Sequence, residues 1–192
     1  VSSIPSGVRK LELSGIWRSY AISLFVEGSF FSKHLPHLTS LDIMSLEESE
    51  HSWMVHSPQN LTYLSLYHWN GSVALPSSLL HFKAKDVYLS TSLVSTLPPS
   101  LESFVTLDTL LGIHLLVPLL PPSTRKLYLG RHSDLGTSSS CAFFEQLPKF
   151  LTSFAFPSSN GMINLETNPE LISVLPTTLT ELNMDIDLPC SV

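Results

Sequence analysis

A chain of 192 residues that is 43% hydrophobic and only 14% charged has material for a continuous core and too few charges for a solvated, disordered polymer. Its net charge of −6 leaves no excess of Lys and Arg to displace counterions from phosphates, so general nucleic-acid binding is not expected. The most apolar stretch, 107–120, is broken by Asp108, His114 and Pro118 and is too short to span a bilayer, which predicts a soluble protein without membrane insertion.

The chain does not begin with Met and opens on no charged-then-apolar leader, which reads as a processed protein or a piece of a longer one. From there one phrase recurs to the end, Leu-Pro-x-x-Leu-x-x-Leu-x-Leu. Loose copies begin at Ile4-Pro5, Leu35-Pro36 and Pro58, and clear ones at Leu75-Pro76, Leu97-Pro98, Leu120-Pro121, Leu147-Pro148 and Leu175-Pro176. The prolines lie 31, 22, 18, 22, 23, 27 and 28 residues apart. Residues 1–192 therefore read as a single repeat array of about eight units.

Each phrase ends in strict alternation, which places successive side chains on opposite faces of a short strand. Leu11/Leu13, Leu41/Ile43, Leu64/Leu66, Leu127/Leu129, Phe154/Phe156 and Leu182/Met184 are expected to point inward and stack as ladders of a parallel sheet. The proline before each strand lacks an N–H and suits the loop that enters the sheet. The unit beginning at Pro58 is only 18 residues long. Its successor's inward pair is taken as Phe82/Ala84, against the alternative of a strand at Val87-Tyr88-Leu89.

Between strands, 20–31 and 107–117 have helical spacing, and Asn168-Pro169-Glu170-Leu171 reads as a helix start. The segments 130–140 and 157–161 read as loops, and Leu188-Pro189 as the opening of a further unit.

These phrases resemble the leucine-rich-repeat superfamily, and more narrowly the short Leu-Pro-x-Ser-Leu-x-x-Leu-x-Leu repeats of the FNIP-type class. Residues 75–82, 97–104 and 120–130 carry the resemblance best. The Phe-Asn-x-Pro-Ile half of that repeat is missing. So is the Asn that caps the turn after the strand: Ile16, Trp69, His132 and Ser159 stand there. Bacterial effector repeats that share Leu-Pro-x-x-Leu keep the Asn and match less well. The resemblance implies an α/β solenoid with a curved parallel sheet on its concave face and short helices or loops on its convex face.

Candidates for chemistry are few. His34 and His37 are separated by Leu35-Pro36 and joined by no Cys, and His51 and His56 are scattered, so no metal site is expected. Cys141 and Cys190 stand roughly two repeats apart, in no catalytic signature, and Cys141 beside Ala142-Phe143-Phe144 reads as packing. The acidic run Glu47-Glu48-Ser49-Glu50 reads as a solvated loop, with Trp53 and Met54 packing on the outer side. No nucleophile elbow or phosphate loop is present, so no catalytic residue and no cofactor is assigned.

What remains is the outward face of the strands. Of the ten basic residues, Lys10, Lys83, Lys85 and Lys126 fall on it, interleaved in the middle with Tyr63, Tyr67 and Tyr128. Tyr63, Tyr67, Lys83, Lys85, Lys126 and Tyr128 are thus the candidate partner-binding residues of a non-catalytic protein-binding or assembly module. The alternatives are a structural packing subunit of a larger complex, or the recognition domain of an enzyme whose catalytic part lies outside these residues.

Overall fold

The computed structural model describes residues 4–13, 30–43, 57–69, 74–88, 97–111, 117–132, 140–156 and 171–184. Each proline-led phrase is a tight turn. The carbonyls of Pro5, Pro58, Pro76, Pro98, Pro121, Pro148 and Pro176 accept from the amide three residues on, at 2.9–3.2 Å. In the second unit Leu35-Pro36-His37-Leu38 is one residue shorter than the phrase, and the turn shifts: Leu35 becomes the acceptor, 3.0 Å from the Leu38 amide.

The chain then locks onto its predecessor. Two successive amides donate to one carbonyl of the preceding unit, as Thr62 and Tyr63 do to Thr39 (2.9 and 3.0 Å), and the same fork recurs in every later unit. Hydroxyls reinforce it. Thr39, Thr62, Thr152 and Thr180 each donate from Oγ1, at 3.1 Å, to the forked carbonyl of the unit before. Ser78, Ser100, Ser123 and Thr178 bridge to the carbonyls of Leu61, Leu79, Leu101 and Leu151 at 2.6–3.1 Å. The Ser and Thr of the phrase therefore stitch unit to unit: the Thr hydroxyls add a further donor to their forked carbonyls, and Ser78, Ser100, Ser123 and Thr178 supply donors to leucine carbonyls that the fork does not use.

Eight strands follow from eight turns: β1 (Lys10–Leu13), β2 (Ser40–Ile43), β3 (Tyr63–Trp69), β4 (His81–Tyr88), β5 (Ser103–Leu111), β6 (Lys126–His132), β7 (Ser153–Phe156) and β8 (Glu181–Met184). They form one sheet in sequence order, every pair parallel. A first inward column runs in register through Leu11, Leu41, Leu64, Phe82, Phe104, Leu127, Phe154 and Leu182. Its six central members are 0–2% exposed. Full burial of such side chains stabilises by about 1.5–3 kcal/mol each. Phe82 paired with Leu64 and Phe104 settles the register of the unit after the short one in favour of Phe82/Ala84.

Short helices close the other side of the core: α1 (Phe30–His34), a 3-10 turn (Val117–Leu119), α2 (Ser140–Glu145) and α3 (Leu171–Val174). Phe30 and Phe31 of α1 are buried, and Phe143 and Phe144 of α2 pack with Phe154 and Phe156 at ring separations of 5.9–6.3 Å. Helices on one side of an all-parallel, sequentially ordered sheet make this an α/β solenoid of the leucine-rich-repeat kind. No described helix is long and apolar enough to cross a membrane.

Several expectations need correction. Residues 107–111 are strand, not helix, because β5 finds partners on both sides, Asp86 and Arg131 flanking Asp108 and Val87 and His132 flanking Thr109. Pairing along both edges outweighs a helical spacing of leucines. Gly130, Arg131 and His132 likewise extend β6 rather than open a loop. Of the helix expected over 20–31 only Phe30 and Phe31 are described, and both lie in α1. Leu182 is 48% exposed although it continues the inward column, since no described strand stacks beyond β8. Residues 47–50, 53–54, 157–161 and 188–190, together with Trp17, His51 and His56, lie outside the described residues.

Candidate functional site

Strict alternation delivers the outward side chains in rows that cross the strands. The first row runs Lys10, Ser40, Tyr63, His81, Ser103, Lys126, Ser153 and Glu181. The second runs Glu12, Asp42, Ser65, Lys83, Val105, Tyr128, Ala155 and Asn183. Beyond them, on the longer central strands, Tyr67 and Lys85 stand side by side. All six candidate residues are on this one face.

They do not form one patch. Tyr63, Tyr67, Lys83 and Lys85 are contiguous on β3 and β4 and half-buried. Lys126 and Tyr128 stand on β6, beyond the half-buried and uncharged Ser103, Val105 and Leu107 of β5. The Lys85 ammonium donates to the Tyr67 hydroxyl oxygen at 2.8 Å and sits 4.4 Å from the ring centroid. This pins both side chains against each other. Nearby, Gly130 approaches the Leu107 backbone so closely that a Cβ there would collide with the Leu107 carbonyl. Ser65, outward by alternation, is only 5% exposed, being small between larger neighbours.

Electrostatics change sign across the second row. Glu12 and Asp42 are register neighbours on β1 and β2, and Lys83 stands two strands past Asp42. Asp42 Oδ1 is buried with no hydrogen-bond partner. Burial, and then the negative charge of Asp42, hold the Tyr63 hydroxyl above its ordinary value of 10.0; Glu12 adds to this and a hydrogen bond with Ser65 opposes it. Tyr63 therefore stays a neutral donor. The acidic pair was readable as outward-facing, but nothing in the sequence shows that one Asp42 oxygen lacks a donor.

Other candidates contribute little. His34 and His37 are exposed, and no group of three or more metal-ligating side chains occurs among the described residues. An open recess of about 540 Å³ between the turns at Pro58 and Pro76 is lined by Ser57, Gln59, Ala74, Leu75, Ser77 and Ser78 as well as the prolines, with no charged or titratable group.

No family model and no curated protein matches the sequence. Among solved structures, the leucine-rich repeat-containing protein LegL7 from Legionella pneumophila is similar over 95% of this chain and 85% of that one, with 14% identity and a TM-score of 0.45.

Proposed function

We propose that the chain is a non-catalytic protein-binding or assembly module whose outward sheet face receives a protein partner, centred on Tyr63, Tyr67, Lys83 and Lys85. The observation that carries this reading is the Tyr67–Lys85 pair, fixed by a hydrogen bond and a cation–π contact in the middle of a face of eight in-register strands. Aromatic side chains held rigid in advance lose little entropy on binding, which is what an interface centre requires. Lys126 and Tyr128 extend the face as a second contact region rather than as part of the same cluster. The repeat subclass remains, on this reading, the FNIP-like one that Leu-Pro-x-Ser-Leu suggests.

One rival has its own support. Phe150, Ile172 and Leu182, in the last two described units, are 54%, 62% and 48% exposed, as a subunit that packs through its end or its outer side would have them. The deciding experiment is site-specific photo-crosslinking in the native source, with the crosslinker at Tyr63 or Lys83 and, in parallel, at Glu145 of α2 and Ile172 of α3. Partner adducts from the sheet positions alone support the proposal. Adducts from the helix positions alone replace it with the packing subunit.

A further inference from the structure

We propose that the partner segment is bipolar: an extended stretch crossing the strands along the second row, with a basic side chain over Glu12 and Asp42 and a carboxylate over Lys83. This rests on the reading of the sheet face as the binding surface, and adds what that surface selects.

The first argument is charge layout. Glu12 and Asp42 are in register on adjacent strands, Ser65 follows, then Lys83, then the uncharged Val105 and Tyr128. Among the described residues Glu12, Asp42 and Lys83 form no ion pair. A partner of uniform charge would meet one of these groups with the wrong sign, and like-charge juxtaposition is what interfaces use to reject partners. The exposed Lys10 lies in the first row, not in this one.

The second argument is the orphaned Asp42 Oδ1, a buried acceptor with no donor. A buried carboxylate oxygen without a donor is costly, so the Asp42 carboxylate gains by turning outward to meet an incoming guanidinium or ammonium. Tyr63, beside it and held neutral, offers an O–H to the segment's backbone without adding charge.

Spacing then sets the motif. Strands lie about 4.8 Å apart, so a basic group between Glu12 and Asp42 stands two and a half steps, about 12 Å, from Lys83. An extended chain advances about 3.4 Å per residue with alternate side chains on one side, so residues four apart face the sheet together at about that distance. The selected segment therefore carries its carboxylate four residues from its basic side chain, with an apolar residue beyond the carboxylate for Val105 and Tyr128.

The test is selection of a random peptide display library on the full chain. Peptides enriched for a basic and an acidic residue four apart support the proposal. Asp42→Asn, which keeps the side chain's size, should weaken a selected peptide about tenfold or more, and Lys83→Glu should erase the acidic preference. A chain carrying Glu12→Lys, Asp42→Lys and Lys83→Glu together should select the opposite polarity, with circular dichroism confirming that it folds. Enrichment of singly charged peptides that Tyr63→Ala still weakens would overturn the bipolar motif while leaving the face as the binding surface. Peptides unaffected by any of these substitutions, or no enrichment at all, would overturn both.

Discussion

Lys85 on β4 donates a 2.8 Å hydrogen bond to the hydroxyl of Tyr67 on β3 while its ammonium lies 4.4 Å from the same ring's centroid. The two contacts are separable by chemistry. Tyr67→Phe keeps the ring beneath the ammonium and removes the hydroxyl that accepts from it, and should cost about 0.5–1.5 kcal/mol. Lys85→Met keeps most of the stem and removes the ammonium from the Tyr67 hydroxyl and ring, adding about 0.5–1 kcal/mol for the cation–π contact. A double-mutant cycle in urea should return a coupling energy between the two positions. Strict additivity would show that the pair is a coincidence of geometry.

Gly130 is required by a close approach rather than by a turn. A Cβ at this position meets the Leu107 carbonyl, which belongs to a paired strand and cannot rotate away. Gly130→Ala should therefore destabilise by about 1–3 kcal/mol, the range for overpacking, with hydrogen-exchange protection lost first between β5 and β6. Gly7, with nothing within 4 Å of its would-be Cβ, is the control. Gly7→Ala should change stability by less than about 0.5 kcal/mol.

Leu127 and Leu182 hold equivalent places in the inward column, yet one is 2% exposed and the other 48%. Leu127→Ala should cost about 2–5 kcal/mol and Leu182→Ala well under that, because a half-exposed leucine has less apolar area to lose and leaves no enclosed cavity. Equal losses by chemical denaturation would mean that Leu182 is covered in solution.

This contrast marks what the sequence carries. Alternation and the proline turns are local, so the start of each strand and the outward row of candidates were readable from spacing, whereas the register of β4 needed its pairing and the far ends of β5 and β6 read as helix and loop. Burial is not local. Leu182 reads like Leu127 because the letters are the same, and only the stacking of neighbours separates them. The leucines at 107, 110 and 111 suit a helix or a strand, and pairing with β4 and β6 decides for the strand. Thr124 occupies the place that Leu61, Leu79 and Leu101 hold in their turns; fully buried, its Oγ1 reaches the Leu101 carbonyl at 3.3 Å. In the site, alternation placed the six side chains on one face. It could not show that β5 divides them, or that Asp42 Oδ1 lacks a donor.

Tyr63 offers a pH test. Its hydroxyl is held above its ordinary 10.0 in the folded chain, so the neutral form is favoured by folding. That contribution is fully present below the unfolded value, near pH 10, and is lost as pH rises through the folded value. Tyrosinate absorbance, read as the difference between the native chain and Tyr63→Phe, should show a transition above pH 10. Asp42→Asn should bring it only part of the way down, since burial is the larger cause. An unshifted transition would mean that Tyr63 is open to water.

Lys83 and Lys126 should differ in how they affect binding, although both are lysines on the same face. Lys126 is exposed on β6, apart from the tyrosine–lysine cluster, whereas Lys83 is half-buried within it. An exposed rim charge acts mainly by steering the encounter, so Lys126→Glu should slow association by a few-fold and change its salt dependence, with little effect on dissociation. A charge at the centre is desolvated in the complex. Lys83→Glu should therefore speed dissociation and weaken affinity by about 2 kcal/mol or more. Surface plasmon resonance with a crosslink-identified partner, or with a selected peptide, separates the two rates. Glu145→Ala on α2 serves as the far-side control. If Lys126→Glu proves the more damaging to dissociation, the centre of the interface moves to β6, and Tyr128 rather than Tyr67 becomes its anchor.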